Sequence, residues 1–140
     1  MDARSESLVL VIEGRFITTA DLLLNMKNLC KLSISSNEKM SGYGLHRLFR
    51  GFNCLKTFEV IIQRYEDPND AAIEDLVAMN PGLEVVHLQK TLVTDKILES
   101  LSRLHELTSL KLRSNRLTTD GVLSLLRGCP REMEIWDPVN

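Results

Sequence analysis

A short α/β solenoid, with a parallel sheet lining a concave side and helices on a convex side, is the fold class this chain predicts. Three observations predict it. An apolar spacing of the form Leu-x-x-Leu-x-Leu is complete at Leu29, Leu32, Ile34 and at Leu107, Leu110, Leu112, with looser copies at Leu55, Phe58, Val60 and Leu83, Val86, Leu88. These copies start roughly 24 to 28 residues apart, a period that belongs to strand-and-helix repeats. Within a copy, a two-residue apolar alternation gives way to apolar residues at helical spacing. Incomplete copies at Leu10, Ile12 and at Met133, Ile135 bring the chain to about five to six repeats in a single domain, 1-140.

The first copy places Leu10 and Ile12 on the inward side of a strand, with Ser7 where the first leucine would stand. Its Ile17, Thr18-Thr19 and Leu22-Leu23 fall one hundred positions before Leu117, Thr118-Thr119 and Val122-Leu123, as internal duplication would leave them. In the second copy the strand at Leu29 to Ile34 is followed by Ser41-Gly42-Tyr43-Gly44, a turn, and by Leu45, Leu48 and Phe49 at the start of a helix. The third copy inserts Gln63 to Asp70, predicted as a loop, before the helical stripe Ala72, Ile73, Leu76, Val77, Met79. The fourth keeps the order Leu88, Val93, Thr94-Asp95, Ile97-Leu98, Leu101 with one residue fewer before the cap.

The fifth copy displays one repeat most fully. Leu107, Leu110 and Leu112 point inward while Ser109, Lys111 and Arg113 alternate to the other face. The chain bends at Ser114-Asn115, and Leu117 returns to the core. Thr119 or Asp120 is expected to cap a helix carrying Val122, Leu123, Leu125 and Leu126, its side-chain oxygen accepting a free N–H of the first turn. Gly128-Cys129-Pro130 ends that helix, because glycine suits the left-handed cap and proline cannot continue. Met133-Glu134-Ile135-Trp136 then reads as a last strand.

One strand and one helix cannot bury both apolar faces alone, so neighbouring repeats must stack into a continuous core. The repeats resemble leucine-rich repeats of the ribonuclease-inhibitor-like class. The run from Asp120 to Pro130 is similar to the helix and closing segment of F-box leucine-rich-repeat proteins, although Asn37 and Asn115 replace the cysteine common after the strand and no F-box segment fits before Leu8. That resemblance implies the repeat region alone, protein recognition through the concave face, and in F-box members substrate delivery for ubiquitination.

Composition narrows the function. With 17 basic and 19 acidic residues, a formal charge of −2, one Trp and two Tyr, nothing favours nucleic acid, which needs a basic surface and stacking platforms. No apolar run approaches a membrane span, so no membrane partner is expected. Cys30, Cys54 and Cys129 make an odd number without metal spacing and are expected as buried structural thiols, and no Asn-x-Ser/Thr acceptor occurs. A cytoplasmic or nuclear location is expected.

Chemistry is sparse. His46, His87 and His105 fall at non-equivalent places; His87 is read as a surface histidine that could sense pH. Glu66, Asp67 and Asp70 lack the glycine and terminal carboxylate of a calcium loop, and are read as a solvated loop. Ser41-Gly42-Tyr43-Gly44 lacks the Lys-Ser/Thr of a phosphate loop. No catalytic, cofactor or metal residues are assigned, and no enzyme activity is expected.

What remains is a surface. The outward strand positions are Val9, Val11, Glu13; Lys31, Ser33, Ser35; Thr57, Glu59, Ile61; Val85, His87, Gln89; Ser109, Lys111, Arg113; and Glu132, Glu134, Trp136. From them Glu59, His87, Gln89, Lys111, Arg113, Glu134 and Trp136 are assigned to protein binding, since Arg and Trp are enriched where interfaces concentrate their energy. Two plainer readings stand beside this one: Lys111 and Arg113 pair with Glu132 and Glu134 across adjacent strands, and Trp136 covers the exposed end of the core. The expected function is a non-enzymatic interaction module for a protein partner. The alternative is an assembly subunit that docks end-on, because neither end carries an evident polar cap.

Overall fold

A computed structural model of the chain describes residues 9–13, 29–40, 51–65, 70–89, 93–113, 116–128 and 134–136. The strands are β1 Val9–Glu13, β2 Lys31–Met40, β3 Thr57–Tyr65, β4 Val85–Gln89, β5 Ser109–Arg113 and β6 Glu134–Trp136. The helices are α1 Asp70–Met79, α2 Lys96–Ser102 and α3 Thr119–Gly128. All neighbouring strands pair in parallel, and their order in the sheet is their order in the chain. The fold is α/β, with strand and helix units repeating along a parallel sheet.

The apolar spacing becomes two buried rows. Leu32 pairs with Phe58, Phe58 with Val86, and Val86 with Leu110; one step along, Ile34, Val60, Leu88 and Leu112 are likewise partners. All eight are buried, as are Leu29, Leu55, Leu83 and Leu107 at the start of each copy. The intervening residues of β4 and β5 stay half-buried or exposed, as the two-residue period of a strand demands. Ile73 and Leu76 of α1, Ile97 and Leu101 of α2, and Val122 and Leu125 of α3 join the same core, so the helices cover the face that the leucines fill.

β3, β4 and β5 begin with the same hydrogen-bond device. The carbonyl of Cys30 accepts from Lys56 N–H and Thr57 N–H, that of Lys56 from Glu84 N–H and Val85 N–H, and that of Glu84 from Thr108 N–H and Ser109 N–H. One unit thereby sets where the next enters the sheet. Polar side chains join the helical layer in a parallel way. Thr94 donates its N–H to Asp70 Oδ1 at 2.8 Å and its hydroxyl to Asp70 Oδ2 at 2.6 Å, and Thr118 makes the same pair of bonds to Asp95. The buried Asn80 accepts from Leu55 N–H and donates to the carbonyls of Phe52 and Leu76.

Four expectations are corrected. Gln63 to Tyr65 extend β3, and Asp70 is a buried first residue of α1 held by Thr94, so only 66–69 of the predicted loop lie outside the described residues. Asn37 lies within β2, because β2 and β3 run on past the apolar rows with a register shift between Ser36 and Lys39. The cap of α3 is Thr118, whose hydroxyl accepts from Gly121 N–H at 3.0 Å, rather than Thr119 or Asp120. On β6, Ile135 pairs with Leu110, so Glu134 faces Ser109 and Trp136 faces Lys111, two residues from the predicted alignment. A shift of two keeps every residue on its own face, which is why periodicity does not reveal it. The helical segments expected after Ile17 and Leu45 fall outside the described residues.

Gly121 has a steric reason: a Cβ there would sit 2.5 Å from the Asp95 carboxylate. In an open helix, glycine to alanine gains about 1 kcal/mol. Here Gly121→Ala is expected to lose about 1–3 kcal/mol through overpacking, read as a lower urea midpoint. In an Asp95→Ala background the same change should cease to destabilise; an equal loss there would refute the clash. Asn80→Ala strands one N–H and two carbonyls in the core and is expected to cost on the order of 2–3 kcal/mol by the same measurement.

Candidate functional site

The face of the sheet away from the helices carries a line of polar side chains drawn from adjacent units. Ser33, Glu59, His87 and Lys111 are successive register partners, and Trp136 follows on β6. Gln89 and Arg113 are partners in the next row, beside Ile61. Glu134 stands opposite Ser109. The sheet thus gathers Glu59, His87, Lys111 and Trp136 into one row, Gln89 and Arg113 into a second, and sets Glu134 in the row of Thr57, Val85 and Ser109.

His87 lies at the centre. Its side chain is 16% exposed, and both ring nitrogens are engaged: Nδ1 lies 3.0 Å from Glu59 Oε2, and Nε2 lies 3.2 Å from Ser109 Oγ. The expectation of an ordinary surface histidine is therefore corrected, because flanking parallel strands bring partners from 28 and 22 residues away onto either side of the ring. Glu59 also meets Lys31, whose Nζ is 3.8 Å from Oε1. Its carboxylate bridges a lysine on β2 and a histidine on β4.

Ser109 and Lys31 belong to the outward rows, yet sequence reasoning left both out of the site. The available signal was alignment of the copies: Glu59, His87 and Lys111 occupy one position in three successive units. A contact between Ser109 and His87 crosses rows diagonally, and periodicity does not contain it.

Carboxylate, imidazole and hydroxyl in this order have the connectivity of an acyl-transfer relay. That chemistry also needs N–H donors directed at a developing oxyanion. The N–H groups of Thr108 and Ser109, the donors beside the hydroxyl, both bind Glu84 O, at 2.9 and 3.1 Å. The line is built to present polar atoms and holds no free donor of that kind beside Ser109.

Elsewhere, Cys30 is buried as expected, but Cys54 is exposed, with its thiol 3.3 Å from Asn53 Oδ1; Cys129 is outside the described residues. Among the described residues no three His, Cys, Asp or Glu side chains converge on a metal-sized space, and no helix is long and apolar enough to cross a membrane. Grooves of about 350 and 220 Å³ lie between α2 and α3 and between α1 and α2, on the side away from the polar line. Asp95, which borders the first, is already committed to Thr118.

No protein-family model matches the chain, and no curated protein matches it in sequence.

The geometry ranks the two contacts of Glu59. A double-mutant cycle on Glu59→Ala and His87→Ala is expected to give a coupling of about 0.5–1.5 kcal/mol in urea unfolding. The cycle on Lys31→Ala and Glu59→Ala should give less, roughly 0–0.5 kcal/mol, because that pair is longer and wetter. A larger coupling to lysine would contradict the assignment of His87 as the organising side chain.

Proposed function

We propose that this chain is a non-enzymatic protein-interaction module of the leucine-rich-repeat type, a short solenoid that binds a protein partner through the concave strand face. One observation carries the reading: outward side chains of four successive parallel strands lie in register as a continuous polar strip, with Glu59, His87 and Lys111 adjacent. A parallel ladder spends its backbone groups on its neighbours, so what this face offers a partner is side chains. Within this function, the likeness of Asp120 to Pro130 to F-box repeat proteins makes substrate recognition in a ubiquitin-ligase-type adaptor of the cytoplasm or nucleus the most specific version.

A second reading, end-on assembly in a larger complex, draws on α3. Leu123 and Leu126 are each 41% exposed, whereas Leu98 and Leu101 of α2, which has a helix on either side, are buried. In that case α3 makes the contact and the strand face is passive.

Partner retention by the immobilised chain separates the two. Strand-face binding predicts that Lys111→Glu lowers retention at least about tenfold, a change of roughly 1.4 kcal/mol, while Arg127→Glu on α3 leaves it unchanged. End-on assembly predicts the opposite weighting, with loss in Leu123→Asp and tolerance at Lys111. Ubiquitin-ligase subunits among the retained proteins are expected of the adaptor version, and their consistent absence would sink it.

A further inference from the structure

We infer that Glu59, His87 and Ser109 form a proton-operated donor switch, which turns the strand face toward a carboxylate-bearing partner segment when His87 is protonated. The partner half rests on the strand-face function proposed above; the switch rests on hydrogen-bond geometry alone.

An ionised carboxylate only accepts hydrogen bonds. With Glu59 Oε2 at 3.0 Å, Nδ1 of His87 must be the nitrogen that carries the proton in the neutral ring. Nε2 is then an acceptor, and the one hydrogen of the Ser109 hydroxyl, 3.2 Å away, points into it. In this state Ser109 offers its surroundings lone pairs and no donor. Proton uptake at Nε2 makes that nitrogen a donor. Ser109 Oγ must now accept, and its O–H turns outward. A single proton therefore adds a positive charge and exchanges an acceptor for a donor at the same spot.

The charge gained by the ring itself sets the sign of the response, within a mixed set of neighbours. From β3 it faces Glu59, whose other oxygen is held by Lys31 of β2 at 3.8 Å. From β5 Lys111 is its register partner, and Glu134 of β6 stands opposite Ser109. Its neighbours on its own strand, Val85 and Gln89, do not titrate. By register position this face carries Glu13, Glu59 and Glu134 beside Lys31, Lys111 and Arg113. Charging His87 adds one positive charge to that mixed set as Ser109 gains an outward donor. A segment rich in carboxylates suits both changes, since each oxygen accepts hydrogen bonds and carries negative charge.

The switch is tested by ¹⁵N NMR of the His87 ring in the intact chain. The neutral ring is expected to hold its proton on Nδ1, and Glu59→Gln should raise the share of the Nε2–H tautomer. Predominance of Nε2–H in the neutral wild type overturns the switch, because Ser109 would already be accepting and protonation would release no donor. The partner class is tested with a hexaglutamate peptide, which stays ionised at about pH 5.5 because glutamate titrates near 4.3. Its affinity should be about tenfold higher at about pH 5.5 than at about pH 7.5, the scale of one added charge at a wet protein surface. His87→Gln should remove that difference, and an equal difference in the variant overturns the role of His87. Absence of peptide binding at both pH values overturns the partner class, whereas failure of the strand-face function itself is read separately from Lys111→Glu in partner retention.

Discussion

Parallel strands that follow one another in the sheet in chain order set each unit one position over, and here every pairing from β2 to β5 places equivalent residues side by side. Leu32, Phe58, Val86 and Leu110 each cover the next, as do Ile34, Val60, Leu88 and Leu112. Each row is buried between the rows of its neighbours and the helical layer. A slip of one residue would turn an entire row to solvent, so the cost of misregister is shared along the sheet. The carbonyls of Cys30, Lys56 and Glu84 reinforce this by receiving two N–H groups each at the point where the following strand begins.

The helical layer answers to the same constraint by polar means. A helix start leaves N–H groups unpaired, and Thr118 meets one of them by accepting from Gly121. Its hydroxyl then has a hydrogen to give, and Asp95 of the preceding unit takes it together with the Thr118 N–H. Asp70 does the same for Thr94. A carboxylate is admitted into so apolar a layer because two donors meet it there. Asn80 extends the logic to the turn after α1, where one amide satisfies three main-chain groups at once.

The outer face inherits its order from the inner one. Since the leucine rows hold register, the residues between them are aligned as well, and side chains 28 and 22 positions apart come within hydrogen-bond distance of His87. A histidine bonded at both nitrogens has a defined tautomer and little freedom to turn, so its chemistry is set by its neighbours. The function proposed here depends on that alignment more than on any single residue. It makes a polar strip out of positions that are each unremarkable alone.

Much of the architecture was legible in the residues. Leucine spacing identified the inward rows and their mates, because a two-residue period leaves a mark in sequence and burial enforces it; Glu59, His87 and Lys111 sharing a position followed from the same alignment. The register of β6 was not legible, since a shift of two conserves both faces and leaves no periodic trace. Nor was the true cap of α3, because Thr118, Thr119 and Asp120 are all competent, and only the position of Asp95 selects among them. The length of β2 and β3, the burial of Asp70, and the placing of Ser109 beside His87 were decided by contacts between units that no local pattern encodes. What the amino-acid sequence determined by itself was which side of each strand faces the core; what tertiary structure alone decided was which polar groups meet, because hydrogen bonds depend on distances between segments and leave no period behind.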